Sequence, residues 1–236
     1  MVIDLHCHIL PGVDDGAQTM EEALEMARTA VQSGVDTLVA TPHYRYYGHD
    51  NRVQIVEAFE RLQDQLVYEQ IPLELLLGTE ILLGREHHPP LHPQMTYPHT
   101  KWFLAEFAMD EHPHRMNELL QQYAQDGYVP IVAHPERYFA IQEEPILAEK
   151  WTQKGWGVQL NRDSLLGGFG ADSFYCADIM LKCGWANLIA SDAHDTTQRN
   201  TDWSEALDLL YDRYDPRLME ECIHKNPLKI LQGASL

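Results

Sequence analysis

Short apolar runs recur along this chain, and most of them are separated by a stretch with the spacing of one amphipathic helix. Residues 2–5, 37–40, 73–77, 103–107, 129–133, 157–160 and 188–190 read as strands. Between them, Met20, Leu24, Ala27 and Val31 mark one helical face, and Thr19 with Glu22 has the spacing of a capping box. Further helical stretches are expected at 53–68, 116–125, 146–154, 173–183, 203–214 and 218–224. Strands alternating with helices imply an α/β class with parallel strands. Two arrangements compete, an open doubly wound sheet and a barrel of seven βα units. The open sheet usually carries a glycine-rich phosphate loop after its first strand. Here the first run leads into His6-Cys7-His8 instead, so a distorted seven-stranded (β/α) barrel of the TIM-barrel type is expected.

The 236 residues suit one such barrel, and no linker or repeat interrupts them, so 1–236 is read as a single domain. With 17 basic and 36 acidic residues the formal net charge is -19. That balance, without a Lys/Arg cluster, would repel a phosphodiester backbone, and no nucleic-acid partner is expected. Cys7, Cys176, Cys183 and Cys222 form no C-x-x-C pair and are read as reduced thiols. No apolar run is long enough to span a bilayer, and the first strand begins at Met1 with no room for a signal peptide. A cytoplasmic protein without membrane insertion is expected. Residues 85–100 hold four prolines and four histidines (His87, His88, His92, His99) and are read as a solvated insertion without a site role.

The decisive pattern lies at the ends of these strands. The first ends in Asp4-Leu5-His6-Cys7-His8, the second in Thr41-Pro42-His43 and the third in Gly78-Thr79-Glu80. The fourth contains Glu106, the fifth ends in His134-Pro135-Glu136-Arg137, and the seventh in Ser191-Asp192-Ala193-His194. Parallel strands in a barrel open their C-terminal ends onto one face, so these residues should converge. Side chains alternate along a strand, which puts His6 and His8 on one side and Cys7 on the other, in the packing layer. Each residue alone is more often a hydrogen-bonded structural group or a surface charge. Buried together, the carboxylates would cost several kcal/mol for each unpaired charge, and divalent cations remove that cost. The His/carboxylate mixture suits manganese, iron or zinc better than calcium, and the scarcity of thiolates argues against a closed structural zinc site.

These motifs, with Val13-Asp14-Asp15-Gly16, resemble the polymerase and histidinol phosphatase (PHP) superfamily over essentially the whole chain. Within it they resemble the manganese-dependent tyrosine-protein phosphatases encoded with bacterial capsule and exopolysaccharide genes. The resemblance implies a trinuclear site: His6, His8, Glu80 and Asp192 around one cation, a bridging Glu80 with Glu106 and His134 around a second, and Asp15, His43 and His194 around a third. It also implies that Arg137 and Arg199 contact phosphate. Asp4 and Asn161 are candidates to orient the ligands. The expected chemistry is in-line attack on a phosphomonoester by hydroxide held on a metal, with the arginines forking onto the phosphoryl oxygens.

A cysteine nucleophile would need an arginine six residues later, and Val13, Lys182, Ile189 and Leu228 occupy those positions. The implied substrate is the phosphorylated, tyrosine-rich tail of a bacterial tyrosine kinase. Tyr44, Tyr46 and Tyr47 would line the rim and stack on the substrate ring. The rival readings are a histidinol-phosphate or other small-phosphomonoester phosphatase, a polymerase-type exonuclease, and a non-catalytic kinase-docking module.

Overall fold

The computed structural model describes residues 1–44, 51–84 and 89–236. Nine strands are present among them: β1 (Val2–Cys7), β2 (Val35–Ala40), β3 (His43–Tyr44), β4 (Glu74–Leu77), β5 (Glu80–Leu83), β6 (Trp102–Phe107), β7 (Val129–Ala133), β8 (Gly157–Asn161) and β9 (Leu188–Ala190). Helices α1 (Met20–Gln32), α2 (Arg52–Tyr68) and α3 (Pro113–Gln125) are followed by the short α4 (Phe139–Glu143), α5 (Glu149–Thr152) and α6 (Arg162–Leu165). Then come α7 (Ala171–Lys182), α8 (Ser204–Arg213), α9 (Pro216–Glu220) and α10 (Asn226–Leu231). The expected capping box starts α1: the Glu22 amide donates to the Thr19 hydroxyl at 3.2 Å, and the Glu22 carboxylate receives the Thr19 amide at 3.3 Å. Such a cap is worth about 1 kcal/mol. No helix among the described residues is long and apolar enough to cross a membrane.

The α/β class and the parallel pairing hold throughout, but the expected seven strands are nine, and they fall into two sheets instead of one closed barrel. One sheet has the order β1-β2-β4, the other β3-β5-β6-β7-β8-β9. The extra strands come from interruptions. After β2 the chain passes through Thr41-Pro42, where proline offers no ladder N–H, and resumes as β3. Opposite it, Gly78-Thr79 separates β4 from β5, and His43 then pairs with Glu80. At the other side, β1 meets the end of β9 through a single Cys7–Ala193 bridge. The Asp192 amide donates to the His6 carbonyl and the His8 amide to the Ala193 carbonyl, each at 2.8 Å.

β1, β8 and β9 are buried on both faces and β6 and β7 nearly so, as parallel strands covered by helices require, whereas β2, β4 and β5 each leave one residue exposed. A small cluster containing Ile3, Leu5, Val39, Leu104, Ile131 and Leu188 draws on both sheets, which therefore face each other across it. A larger cluster packs the strands against the helices and contains Cys7, as alternation predicts. Between Asp4 and Cys7 the β1 register gains one residue on β2. This bulge reverses the alternation, so Leu5 packs among the strands while His6 and His8 still reach the site.

The 85–100 segment is corrected in part. His87 and His88 lie outside the described residues, and His92 and His99 are exposed, but Met95 and Tyr97 are each 1% exposed. The Tyr97 hydroxyl donates to the Leu5 carbonyl at 2.8 Å, and the Thr79 hydroxyl to the Met95 carbonyl at 2.9 Å. Residues 95–97 form a buried strut under β1, whereas residues 92–94 and His99 are solvated. Tyr44 likewise is buried in the larger core cluster and does not line a rim, whereas Arg45, Tyr46 and Tyr47 lie outside the described residues.

Candidate metal centre

Nine of the expected residues converge at the ends of the strands. Four donor atoms form the inner group: His6 Nε2, His8 Nε2, Glu80 Oε2 and Asp192 Oδ1. The two imidazole nitrogens are 3.1 Å apart, and each lies 3.2–3.4 Å from both carboxylate oxygens. Metal–ligand bonds of about 2.0–2.2 Å put adjacent donors roughly 2.8–3.6 Å apart around an octahedral or tetrahedral ion. The spacing therefore fits ligands gathered around a cation.

Outside this group, His8, Asp15, His43 and His194 each offer a donor within 4.8 Å of the others, and so do His43, Glu80 and Glu106. His134 Nε2 reaches Glu80 Oε1 at 3.1 Å and Glu106 Oε1 at 3.8 Å. His43 thus stands between two of the expected sets, with Nδ1 at 3.1 Å from Glu80 and Nε2 at 3.4 Å from Asp15. Two of the converging residues, His134 and Asp192, have positive φ (33° and 52°). That conformation is strained in non-glycine residues and persists where the surroundings impose it.

The inner donors are held from behind. His6 Nδ1 is 2.8 Å from Gln159 Oε1, and the Gln159 amide donates to Asn161 Oδ1 at 2.9 Å. Asn161 Nδ2 in turn donates to Asp192 Oδ2 at 2.7 Å. His8 Nδ1 meets Asp14 Oδ2 at 2.8 Å, and that oxygen also accepts the His43 amide at 2.9 Å. Such partners select the ring tautomer and leave Nε2 facing the site. Gly16 sits where it must. A Cβ there would lie 2.0 Å from the His8 carbonyl oxygen, so a side chain would push His8 out of place. Asp4 binds no site atom: its carboxylate accepts from the Ser191 and His6 amides and the Trp203 indole, at 3.0, 3.3 and 3.1 Å. It locks β1 to the segment carrying Asp192. Asn161 contacts a candidate ligand side chain as an orienting group would, whereas Asp4 holds only the backbone of His6 and Ser191 and the Trp203 ring. Gln159 and Asp14 were missed as positioning groups, although the motif containing Asp14 was visible.

The electrostatics show acidic charge in need of compensation. Burial drives the Glu106 carboxyl up to about 8, with Glu80 and Asp192 repelling its charge further. Burial also penalises Glu80 and Asp192, but the neighbouring histidines, His6 foremost, outweigh it and hold both well below the usual carboxylate range. His6 is the converse: burial opposes its charge, and Glu80 and Asp192 overcome that and raise its pKa. His194 is lowered to about 4 by burial and by His8. Cations in the middle would take over the compensation that protonated histidines otherwise supply.

Arg137 and Arg199 border the cluster. Arg199 donates to Asp192 Oδ2 at 2.6 Å and to the Asp192 carbonyl at 3.0 Å, and Arg137 approaches Oδ2 at 3.3 Å. The buried Arg199 Nε has no acceptor among the described residues. Glu136, next to Arg137, is pushed up to about 7 by burial, partly offset by the Ser164 hydroxyl and the Asn161 amide, which donate to it at 2.6 and 3.0 Å. No motif pointed to Phe169, whose ring lies against both arginines, 4.4 Å from Arg137 Cζ and 5.7 Å from Arg199 Cζ.

Comparison with known proteins places this arrangement. The model of a family described as capsular polysaccharide synthesis, CpsB/CapC, matches residues 2–232. The tyrosine-protein phosphatase YwqE of Bacillus subtilis is 36% identical over 220 residues, covering 92% of this chain and 87% of its own. The tyrosine-protein phosphatase CpsB of Streptococcus pneumoniae is 26% identical over 240 residues, 98% of each chain. A solved structure from work on YwqE and CpsB, described there as unique metal-dependent tyrosine phosphatases, matches with a TM-score of 0.90 at 34% identity. The match covers 99% of this chain and 96% of the other.

Proposed function

The chain belongs to the CpsB/CapC family, and on that premise we propose that it is a metal-dependent protein-tyrosine phosphatase. Its substrate would be the phosphorylated, tyrosine-rich tail of a bacterial tyrosine kinase that controls capsule and exopolysaccharide synthesis. The observation that carries this reading is the inner donor group, four buried atoms at ligand spacing with two arginines beside them. The proposed ligands are His6, His8, Glu80 and Asp192 for one cation, Glu80, Glu106 and His134 for a second, and Asp15, His43 and His194 for a third. The whole of 1–236 would act as one domain, a distorted seven-stranded barrel in which β2 with β3, and β4 with β5, are the halves of interrupted strands. A cytoplasmic setting accords with four free cysteines.

Bound divalent cations, manganese foremost with iron or zinc as alternatives, would supply Lewis acidity, lowering the pKa of water from about 16 towards about 7 and neutralising phosphoryl charge. The chain's own residues do the rest. Arg199 and Arg137, each partly exposed beside the donor group, receive the phosphoryl oxygens. Asn161 and Gln159 keep Asp192 and His6 from turning as the charge shifts. Water adds to phosphorus and the P–O bond to the tyrosine breaks, giving inorganic phosphate and a free tyrosine side chain. A phenolate leaves more readily than an alkoxide, which favours aryl over alkyl phosphates.

The test is a rate comparison on phosphotyrosine, phosphoserine and phosphothreonine peptides and histidinol phosphate, with and without chelator. Phosphotyrosine should turn over fastest, chelator should abolish the activity, Mn²⁺ should restore it, and thiol alkylation should leave it intact. Full activity in metal-free protein would defeat the metal reading. Equal or faster hydrolysis of phosphoserine or histidinol phosphate would defeat the tyrosine assignment.

A further inference from the structure

Arg137 has a second side, away from the metal centre. Past Phe169, whose ring it covers, a surface cleft leaves the site. The near part, about 340 Å³, is walled by Met109, Arg137, Phe139 and Phe169. It shares Phe139, Gln142 and Asp172 with a farther part of about 460 Å³ that ends at Tyr175 and Ile179. Phe139, Tyr175 and Ile179 are 59%, 62% and 43% exposed, a line of large apolar side chains in water that begins beside the phosphate-binding arginine.

The cleft is built, not an accident of loops. Its walls are α4 and α7. The Gln142 amide ties them by donating to the Ser173 hydroxyl at 3.1 Å and to the Glu136 carbonyl at 2.9 Å, and the Cys176 thiol donates to the Ile141 carbonyl at 3.5 Å. The Gln142 amide nitrogen is thereby occupied, which leaves a channel of mixed lining with two acidic groups on its rim, Asp172 where the two parts meet and Glu143 in the farther part, and no lysine or arginine among its farther lining residues. Asp172 to Ile179 spans about 10 Å of helix, the reach of about three residues of extended peptide.

We infer that this cleft binds the stretch of a phosphotyrosyl peptide that flanks the phosphorylated residue, taking an apolar side chain along Phe139, Tyr175 and Ile179 and a basic one at the Glu143–Asp172 rim. The inference rests on the phosphatase reading. It adds a second determinant of substrate choice, one that a small aryl phosphate cannot reach. An extended peptide fits better than a folded partner because the cleft is continuous with the arginine beside which the phosphoryl group would sit.

The test uses the metal-loaded enzyme and two substrates, phenyl phosphate and a phosphotyrosyl peptide with leucine and lysine in the flanking positions. The wild-type enzyme should favour the peptide, and replacing its leucine and lysine by alanine should raise its KM about ten-fold with kcat unchanged. Ile179→Glu and Tyr175→Ala, both on the exposed face of α7, should lower the ratio of peptide to phenyl phosphate kcat/KM about ten-fold. An unchanged ratio, or equal KM for the two peptides, overturns the cleft assignment while phenyl phosphate turnover still supports a phosphatase. Failure to hydrolyse either substrate overturns both readings. A concentration-dependent dimer in light scattering that Ile179→Glu abolishes assigns the face to a second copy of the chain and overturns the peptide assignment.

Discussion

The inner and outer halves of the candidate metal centre differ in how firmly their side chains are enclosed. His6, His8, Glu80 and Asp192 are at most 2% exposed, and His6, His8 and Asp192 each have a partner behind them, in Gln159, Asp14 and Asn161. The Asp15, His43 and Arg199 side chains are 65%, 27% and 28% exposed, and the two carboxylate–imidazole contacts of Asp15 measure 3.4 and 3.7 Å. The inner half is braced by hydrogen bonds from the fold around it. The outer half is more open, and on the proposed reading it is the side by which substrate would enter and phosphate leave. Preorganisation is concentrated where charge has to be stabilised, and adaptability where molecules pass.

That contrast can be broken by mutation. Glu80→Gln, in the inner half, should cost on the order of 10³-fold or more in kcat together with bound metal, read by steady-state kinetics and elemental analysis. His134→Ala should fall in the same class. Arg199→Ala should keep the metal and lose about 10²-fold in kcat/KM. Metal loss in that variant would show that Arg199 holds the centre together and does not serve the substrate. Asp14→Ala removes only a supporting contact, and metal affinity should drop by about 10- to 100-fold. A larger fall than for Glu80→Gln would erase the distinction between ligand and support. Asp15→Ala, at the exposed edge, should sit at the low end, about ten-fold in affinity for one cation, with the inner metal retained. The smallest effect belongs to Tyr97→Phe, which deletes one buried hydrogen bond to Leu5. It should lower stability by about 1 kcal/mol in denaturant titration and leave turnover nearly unchanged.

The strand-end histidines and carboxylates were legible because alternation and parallel order are local rules, and because a set of buried acids has few uses. All nine candidate ligands and both arginines converge as expected. What was not legible depends on the third dimension. Thr41-Pro42 and Gly78-Thr79 split two strands, and a run of apolar residues does not announce where its hydrogen-bond ladder breaks. Gln159 lies inside a strand, 153 residues from the imidazole it orients, and a glutamine there carries no pattern of its own. Phe169 sits between glycines in a stretch that reads as a turn, and only the fold brings it against two guanidinium groups. Proline and histidine in 85–100 suggested solvent, yet Tyr97 reaches under β1. Composition describes a segment's average, and one aromatic residue decides where it packs.

Cys7 and Ala193, paired at the seam between the first and last strands, are 186 residues apart in the chain. A ribosome making this protein would therefore expose His6 and His8 long before the Asp192 segment that completes their surroundings has been translated. Closing so large a loop is entropically costly and slow, so the seam belongs to the late events of folding. The nascent protein passes most of its synthesis with two histidines and no finished cage for a metal. A chain stopped just before Asp192 would carry most of the recognisable motifs and still lack the segment that completes the inner donor group.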